Sequence, residues 1–95
     1  MPEMHFQVRW PDGTTEFCYS PSLVIKDHLA VGGRYAMADF VSRSRTALTI
    51  ASERVRERYG FACSRALGQL ARIEAAATRF ASDRDAHVTV LAFDQ

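Results

Sequence analysis

Ninety-five residues, 47 % hydrophobic and 24 % charged, make a single domain over 1–95, because a chain this short buries only about 60 to 65 % of its unfolded surface and cannot build a second core. No apolar run approaches the ~18 residues that cross a bilayer, and the opening Met1-Pro-Glu-Met-His lacks the basic and apolar regions of a secretory signal, so a cytoplasmic protein without membrane contact is expected. The formal charge of +1 argues against a strongly electrostatic partner for the chain as a whole.

Residues 4–10 alternate strictly, with Met4, Phe6, Val8 and Trp10 on one face and His5, Gln7 and Arg9 on the other, which predicts a strand. Pro11-Asp12-Gly13 is a turn, since proline presets the first central position and glycine accepts a positive φ, and Thr14 to Tyr19 returns as the second strand of a hairpin. Two registers compete. A three-residue loop with a glycine bulge sets Trp10 opposite Thr14 and puts Glu16 and Cys18 beside Val8 and Phe6. A four-residue loop sets Trp10 opposite Thr15 and aligns Phe17 and Tyr19 with the apolar face. Turn chemistry favours the first; burial favours the second, which is the register expected here.

Ser20-Pro21 reads as an N-cap and first helical position, giving a short helix over Ser22 to Leu29, although Leu23-Val-Ile serves equally as a strand. Gly32-Gly33 ends it. From Ala38 to Tyr59 a helical period places Phe40, Val41, Ser44, Ala47, Leu48, Ala51, Val55 and Tyr59 within one sector. Gly60 closes that helix, and a second runs from Ala62 to Ala81 with Cys63, Ala66, Leu67, Leu70, Ile73, Ala77 and Phe80 inward. Ser82 to Asp85 breaks it. His87 to Phe93 is a final strand, apolar on parts of both faces, as a strand with neighbours on either side would be. The expected fold is α+β: a small antiparallel-based three-stranded sheet, the N-terminal hairpin plus the C-terminal strand, packed on a two-helix hairpin in the order ββ(α)ααβ.

Cys18 and Cys63 stand 45 positions apart without a CxxC, and His5, His28 and His87 are scattered. Neither a zinc pattern nor a histidine pair on one helix face results, so reduced thiols and no metal or other cofactor are expected. The near-neutral charge conceals a pattern. Residues 1–33 hold two cations and four anions, residues 34–65 seven and three, and residues 66–95 three and four, so the long helix carries the positive charge. Its arginines point around most of the helix with no interleaved aromatic or glycine-rich loop, which argues against nucleic acid.

Arg54 and Arg58 flank the apolar stripe four residues apart, where like charges repel unless an anion, from the protein or a ligand, lies between them. Glu74 falls near the apolar stripe of the second helix, where an unpaired carboxylate is costly. If the hairpin turns at Gly60, Glu74 lies level with Thr46, and Arg43 is its expected partner. Arg54, Arg58, Arg43 and Glu74 are therefore the candidate ligand or anion site. Cys63 sits in the first turn of the second helix, where free N–H groups and Arg65 favour a thiolate, which makes it a candidate nucleophile; its place on the inner stripe makes it a core side chain. The core reading is the stronger, since no histidine or acid is assignable beside it. Ile50 points onto the polar side of the long helix, and a homodimer formed through that helix would cover it.

The segments Phe6-Gln-Val-Arg-Trp-Pro-Asp-Gly, Cys18-Tyr-Ser-Pro-Ser, Asp39-Phe-Val-Ser-Arg-Ser-Arg-Thr-Ala-Leu and Ala51-Ser-Glu-Arg-Val-Arg-Glu-Arg-Tyr-Gly-Phe-Ala-Cys-Ser-Arg-Ala-Leu carry a resemblance over nearly the whole chain. It resembles a family of small bacterial nitrogen starvation response proteins. Members are typically encoded beside a nitrilase-type hydrolase, a radical-SAM enzyme, an acetyltransferase and a flavin-dependent oxidoreductase, so the resemblance implies a role in nitrile or nitrogen metabolism. It brings no catalytic residues. Where the family pattern has tyrosine near position 28 and proline at 36, this chain has His28 and Ala36, which argues against catalysis by His28. The expected function is that of a non-catalytic accessory or regulatory protein that binds a partner enzyme of such a cluster or a small metabolite. The alternatives are a small enzyme using Cys63 or an Arg/Glu site, and an anion or nucleotide sensor using Arg54 and Arg58.

Overall fold

The computed structural model describes residues 2–95. Among these the chain forms β1 (Met4–Arg9), β2 (Thr15–Ser20), a 3-10 turn (Leu23–Asp27), β3 (Arg34–Ala36), α1 (Met37–Tyr59), α2 (Ser64–Arg79) and β4 (His87–Asp94). The strands make one antiparallel sheet in the order β2-β1-β4-β3, covered on one face by the α1–α2 hairpin. The α+β class is as expected, with four strands instead of three. The additional strand, β3, is only three residues long and follows Gly32-Gly33, too short to show an alternation.

The hairpin takes the three-residue register, contrary to the burial argument. Phe6 faces Cys18, Val8 faces Glu16, and the Trp10 N–H donates to the Thr14 carbonyl at 2.8 Å. The Gly13 N–H donates to the Trp10 carbonyl at 2.9 Å with Gly13 at φ +88°, a turn closed by a glycine bulge. Two features resolve the conflict. Glu16, which this register turns inward, accepts a hydrogen bond from the Trp10 indole N–H at 3.1 Å, so its carboxylate is not left unpaired. Phe17 is simply left 60 % exposed on the outer face.

Beyond the hairpin, Ser22 rather than Ser20 caps the following turn: its Oγ accepts from the Val24 N–H, and Val24 and Ile25 enter the core. β4 lies between β1 and β3, as its two-faced apolarity implies, but a bulge contributes as well. Gln7 pairs with Ala92 and Val8 with Val90, so Leu91 is an extra residue that shifts the alternation and brings Phe93 opposite Phe6. A strict two-residue reading therefore sees hydrophobics on both faces.

α1 buries Phe40, Ser44, Ala47, Leu48 and Ala51 of the expected stripe, while Tyr59, in its last turn, is 54 % exposed. Ile50 is half-buried and packs against the core rather than standing on the polar side. Gly60 at φ +86° ends the helix with its N–H on the Arg56 carbonyl. α2 is rotated by about a residue from the predicted stripe: Leu67 is exposed, and Ala66, Gln69, Ile73 and Ala76 face in. Gln69 Oε1 accepts from the Tyr19 backbone N–H at 3.0 Å, fastening α2 to the outermost strand. The core centres on Phe6, Phe40, Ile25, Leu48 and Ile73, with Trp10 edge-on to Phe40 at 5.7 Å between ring centroids.

Candidate functional site

The anticipated arginine site is not assembled as one unit. Arg54 Nη1 donates to Ser22 Oγ at 2.9 Å, so it supports the cap of the 3-10 turn. The Arg58 guanidinium lies 5.8 Å from the Tyr59 ring centroid. Arg43 donates to Asp39 and to the His28 carbonyl, each at 3.0 Å, and covers the Tyr35 ring. Glu74 pairs with Arg45 at 3.1 Å, not with Arg43. The level predicted for Glu74, near Thr46, was correct; Arg43 sits a half-turn away with its guanidinium already engaged. The Arg45–Glu74 pair is half exposed and contributes about 0.2–1 kcal/mol.

Cys63 caps α2 rather than lying within its first turn, and its side chain makes no cap hydrogen bond. Its backbone N–H donates to Ser52 Oγ at 3.2 Å, which ties the start of α2 to α1. The half-buried thiol lines a cavity of about 330 Å³ with Tyr19, Val55, Tyr59 and Phe61. Glu3, the carboxylate of this cavity, accepts from the Tyr19 hydroxyl at 3.1 Å and lies 3.7 Å from Arg65. Burial, then the hydrogen bond to Glu3, raise the Tyr19 pKa against the opposing pull of Arg65, so the phenol stays protonated and is a donor rather than a base. Cys18 is fully buried and its thiol is pushed up to about 12, chiefly by burial and further by Glu16. Among the described residues no group of three or more His, Cys, Asp or Glu is placed to hold a metal ion.

A further concavity lies elsewhere, at the open end of the helical hairpin. A cleft of about 500 Å³ opens between the first turns of α1 and the end of α2. Met37, Val41, Ala77 and Phe80 give it an apolar wall, and Arg45, Arg84 and Asp83 put charge at its border. Arg45 is held there by Glu74. Of the anticipated residues, then, Glu74 alone is tied to this cleft, and only through Arg45. The others were missed for a visible reason: Met37 and Phe80 lie at opposite ends of two separate periodic segments, and only the antiparallel return of α2 brings them together. The signal available was Phe80, a large aromatic beyond the last inward turn.

The family model described as nitrogen starvation-induced protein NitG matches residues 5–93, nearly the whole chain. The chain belongs to the NitG family. That places it among nitrogen starvation-induced proteins and agrees with the resemblance carried by its sequence blocks. The NitG match reaches from β1 into β4, so the whole lining of the cleft, and all of the Cys63 cavity but Glu3, lies within the matched residues. No curated protein and no solved structure matches the chain. No helix among the described residues is long and apolar enough to cross a membrane.

Proposed function

We propose that this NitG-family protein is a non-catalytic regulatory protein of the nitrogen starvation response, and that it acts by binding a small metabolite in the cleft between Met37 and Phe80. The observation that carries this reading is the cleft itself. Its volume of about 500 Å³ lies in the range of small-molecule sites, which pair an apolar lining with a few polar groups that orient the ligand. A compact apolar body would rest on Val41 and Phe80, and a carboxylate or nitrile end would meet Arg45 or Arg84. Three of the expected site residues already have partners within the chain: Arg54 holds Ser22, Arg43 holds Asp39 and the His28 carbonyl, and Glu74 holds Arg45.

Thermal-shift and calorimetric titrations with short aliphatic and aromatic nitriles, and with the matching carboxylates and amides, test the proposal. Saturable stabilisation that is lost in Val41→Trp, which fills the cleft, supports it; no stabilisation by any of them, or binding unchanged in Val41→Trp, overturns it.

A second reading, binding of a partner enzyme of a nitrilase-containing cluster, draws on the apex of the helical hairpin. There Phe61 is 66 % exposed and Tyr59 54 % exposed, with ring centroids 6.4 Å apart. Aromatic side chains of this kind are common anchors of protein interfaces. Pull-down of a nitrilase-type hydrolase, with its activity measured in the presence and absence of this protein, checks this reading. Failure of capture and an unchanged rate would rule it out.

A further inference from the structure

We propose that the groove between α2 and the β2 edge of the sheet holds a second site, a seat for a small oxyanion built by Arg65, Gly68, Gln69 and Arg72. The seat shares no lining residue with the cleft between Met37 and Phe80, and its test does not depend on that reading. It is a concavity of about 360 Å³ between α2 and the outer edge of the sheet, walled by His5, Phe17 and Tyr19 and lined by no acidic residue.

Three independent features point to an anion. The first is spacing: Arg65, Gly68 and Arg72 follow one another at three and four residues, so they stand in line on one face of the helix with glycine between the two guanidinium groups. Glycine inside a helix is destabilising relative to alanine. No steric demand accounts for it here, because a Cβ at position 68 would meet only Arg72 Nη1, at 3.9 Å. What its absence provides is open space between two cations.

The second is Gln69, which is 1 % exposed and lines the seat. Its Oε1 accepts from the Tyr19 N–H at 3.0 Å and from the Arg72 guanidinium at 2.8 Å, and these two donors fix which end of the amide is oxygen. Nε2 is thereby left as a buried donor with no partner among the described residues. Such a group is costly unless an acceptor reaches it, and an oxygen of a ligand in the seat supplies one.

The third is preorganisation and field. The Arg65 guanidinium lies over the Tyr19 ring, its central carbon 3.8 Å from the ring centroid, which holds one wall of the seat in place. Ser64 begins α2 on the same side, and Cys63 caps that helix without a side-chain bond, with no acid in the first turn. The first turn of α2 thus adds partial positive charge to that of its arginines, and the one carboxylate nearby, Glu3, stands 3.7 Å from Arg65 outside the lining of the seat. The ligand chemistry that matches is a phosphate or carboxylate group on a compact organic body, with the exposed Phe17 ring as the surface for that body.

The test is a titration of the whole chain followed by backbone and side-chain amide NMR, with inorganic phosphate, phenyl phosphate and glutarate as separate probes. Saturable shifts in Arg65, Gly68 and the Gln69 side-chain NH₂, weakened as salt is raised, are expected for at least one probe. The tightest probe distinguishes phosphate from carboxylate, and phenyl phosphate binding more tightly than inorganic phosphate assigns Phe17 its role. Gly68→Leu should weaken that affinity at least tenfold while the Tm stays level or rises, so loss of binding cannot be attributed to loss of fold. Gln69→Glu, which sets a carboxylate in the seat, should weaken it similarly. No saturable shift with any probe, shifts confined to other residues, or an affinity unchanged in Gly68→Leu would overturn the proposal.

Discussion

Cys18 makes a quantitative link between packing and pH. Its thiol faces Phe6 across the hairpin, fully buried, and holds its proton up to about 12 where an exposed thiol loses it near 9.0. Burial disfavours the charged thiolate, and the Glu16 carboxylate two residues away adds to that. The unfolded chain therefore releases the Cys18 proton first as pH rises. Stability is unaffected by this group below pH 9 and falls above it by about 1.4 kcal/mol per pH unit, giving a loss of roughly 2 to 3 kcal/mol by pH 11. Cys18→Ala removes the titration and leaves a small cavity, at a cost of about 1 kcal/mol at neutral pH. Urea unfolding of both proteins under reducing conditions, from pH 7 to pH 11, measures the difference; other groups that titrate in this range are common to both and cancel. The variant should begin less stable than the parent and end more stable. Two curves that stay parallel to pH 11 would refute the account of Cys18 as a buried neutral thiol.

The loop before β3 offers a steric test: a Cβ at Gly33 would stand 2.6 Å from the Tyr35 hydroxyl and 2.7 Å from Cε2 of its ring. Gly33→Ala must displace the half-buried Tyr35 side chain, whose hydroxyl oxygen accepts from the Ala30 N–H at 2.9 Å, at a cost of about 1–2 kcal/mol by chemical denaturation. In the hairpin turn, Asp12 accepts from the Thr14 hydroxyl and N–H at 2.6 and 3.0 Å, and these bonds lower its pKa below the ordinary 3.8. Its contribution to the turn is full above that value and is lost as pH falls through the lower folded value; an NMR titration should show this midpoint, and Thr14→Val should move it upward. Phe40→Ala in the core should cost about 3–5 kcal/mol and change the Trp10 fluorescence, since the edge-on pair is lost.

How far the sequence could be read depended on how many residues reported each feature. α1 and α2 were legible because their periods repeat over 23 and 16 residues, and Gly60 marked the turn between them. The hairpin register rested on two local signals in conflict, and the weaker-looking one prevailed: Pro11-Asp12-Gly13 specified the bulged loop, while Glu16 found a partner in the Trp10 indole that no alternation pattern can show. β3, with three residues, had no periodicity to display. Gln69 was invisible as an inward residue because its value there is a hydrogen bond to Tyr19 rather than apolar area. The clefts were harder still. Phe80 with Met37, and Arg72 with Phe17, meet only through tertiary packing, so residue chemistry read along the chain directed attention to Arg54, Arg58 and Cys63 instead.

The Gln69 tether also bears on how copies of this chain can associate. An outer strand with unpaired N–H and C=O groups is a template for another strand, and this sheet has two such margins. At β2 the Tyr19 N–H is already taken by Gln69, with α2 drawn alongside. At β3 the margin is three residues long, too short to template an extended ladder. Strand addition is therefore hindered at the Tyr19 end of β2 and at β3, which favours contacts through helix surfaces over the edge-to-edge stacking that leads small β-containing domains into fibres.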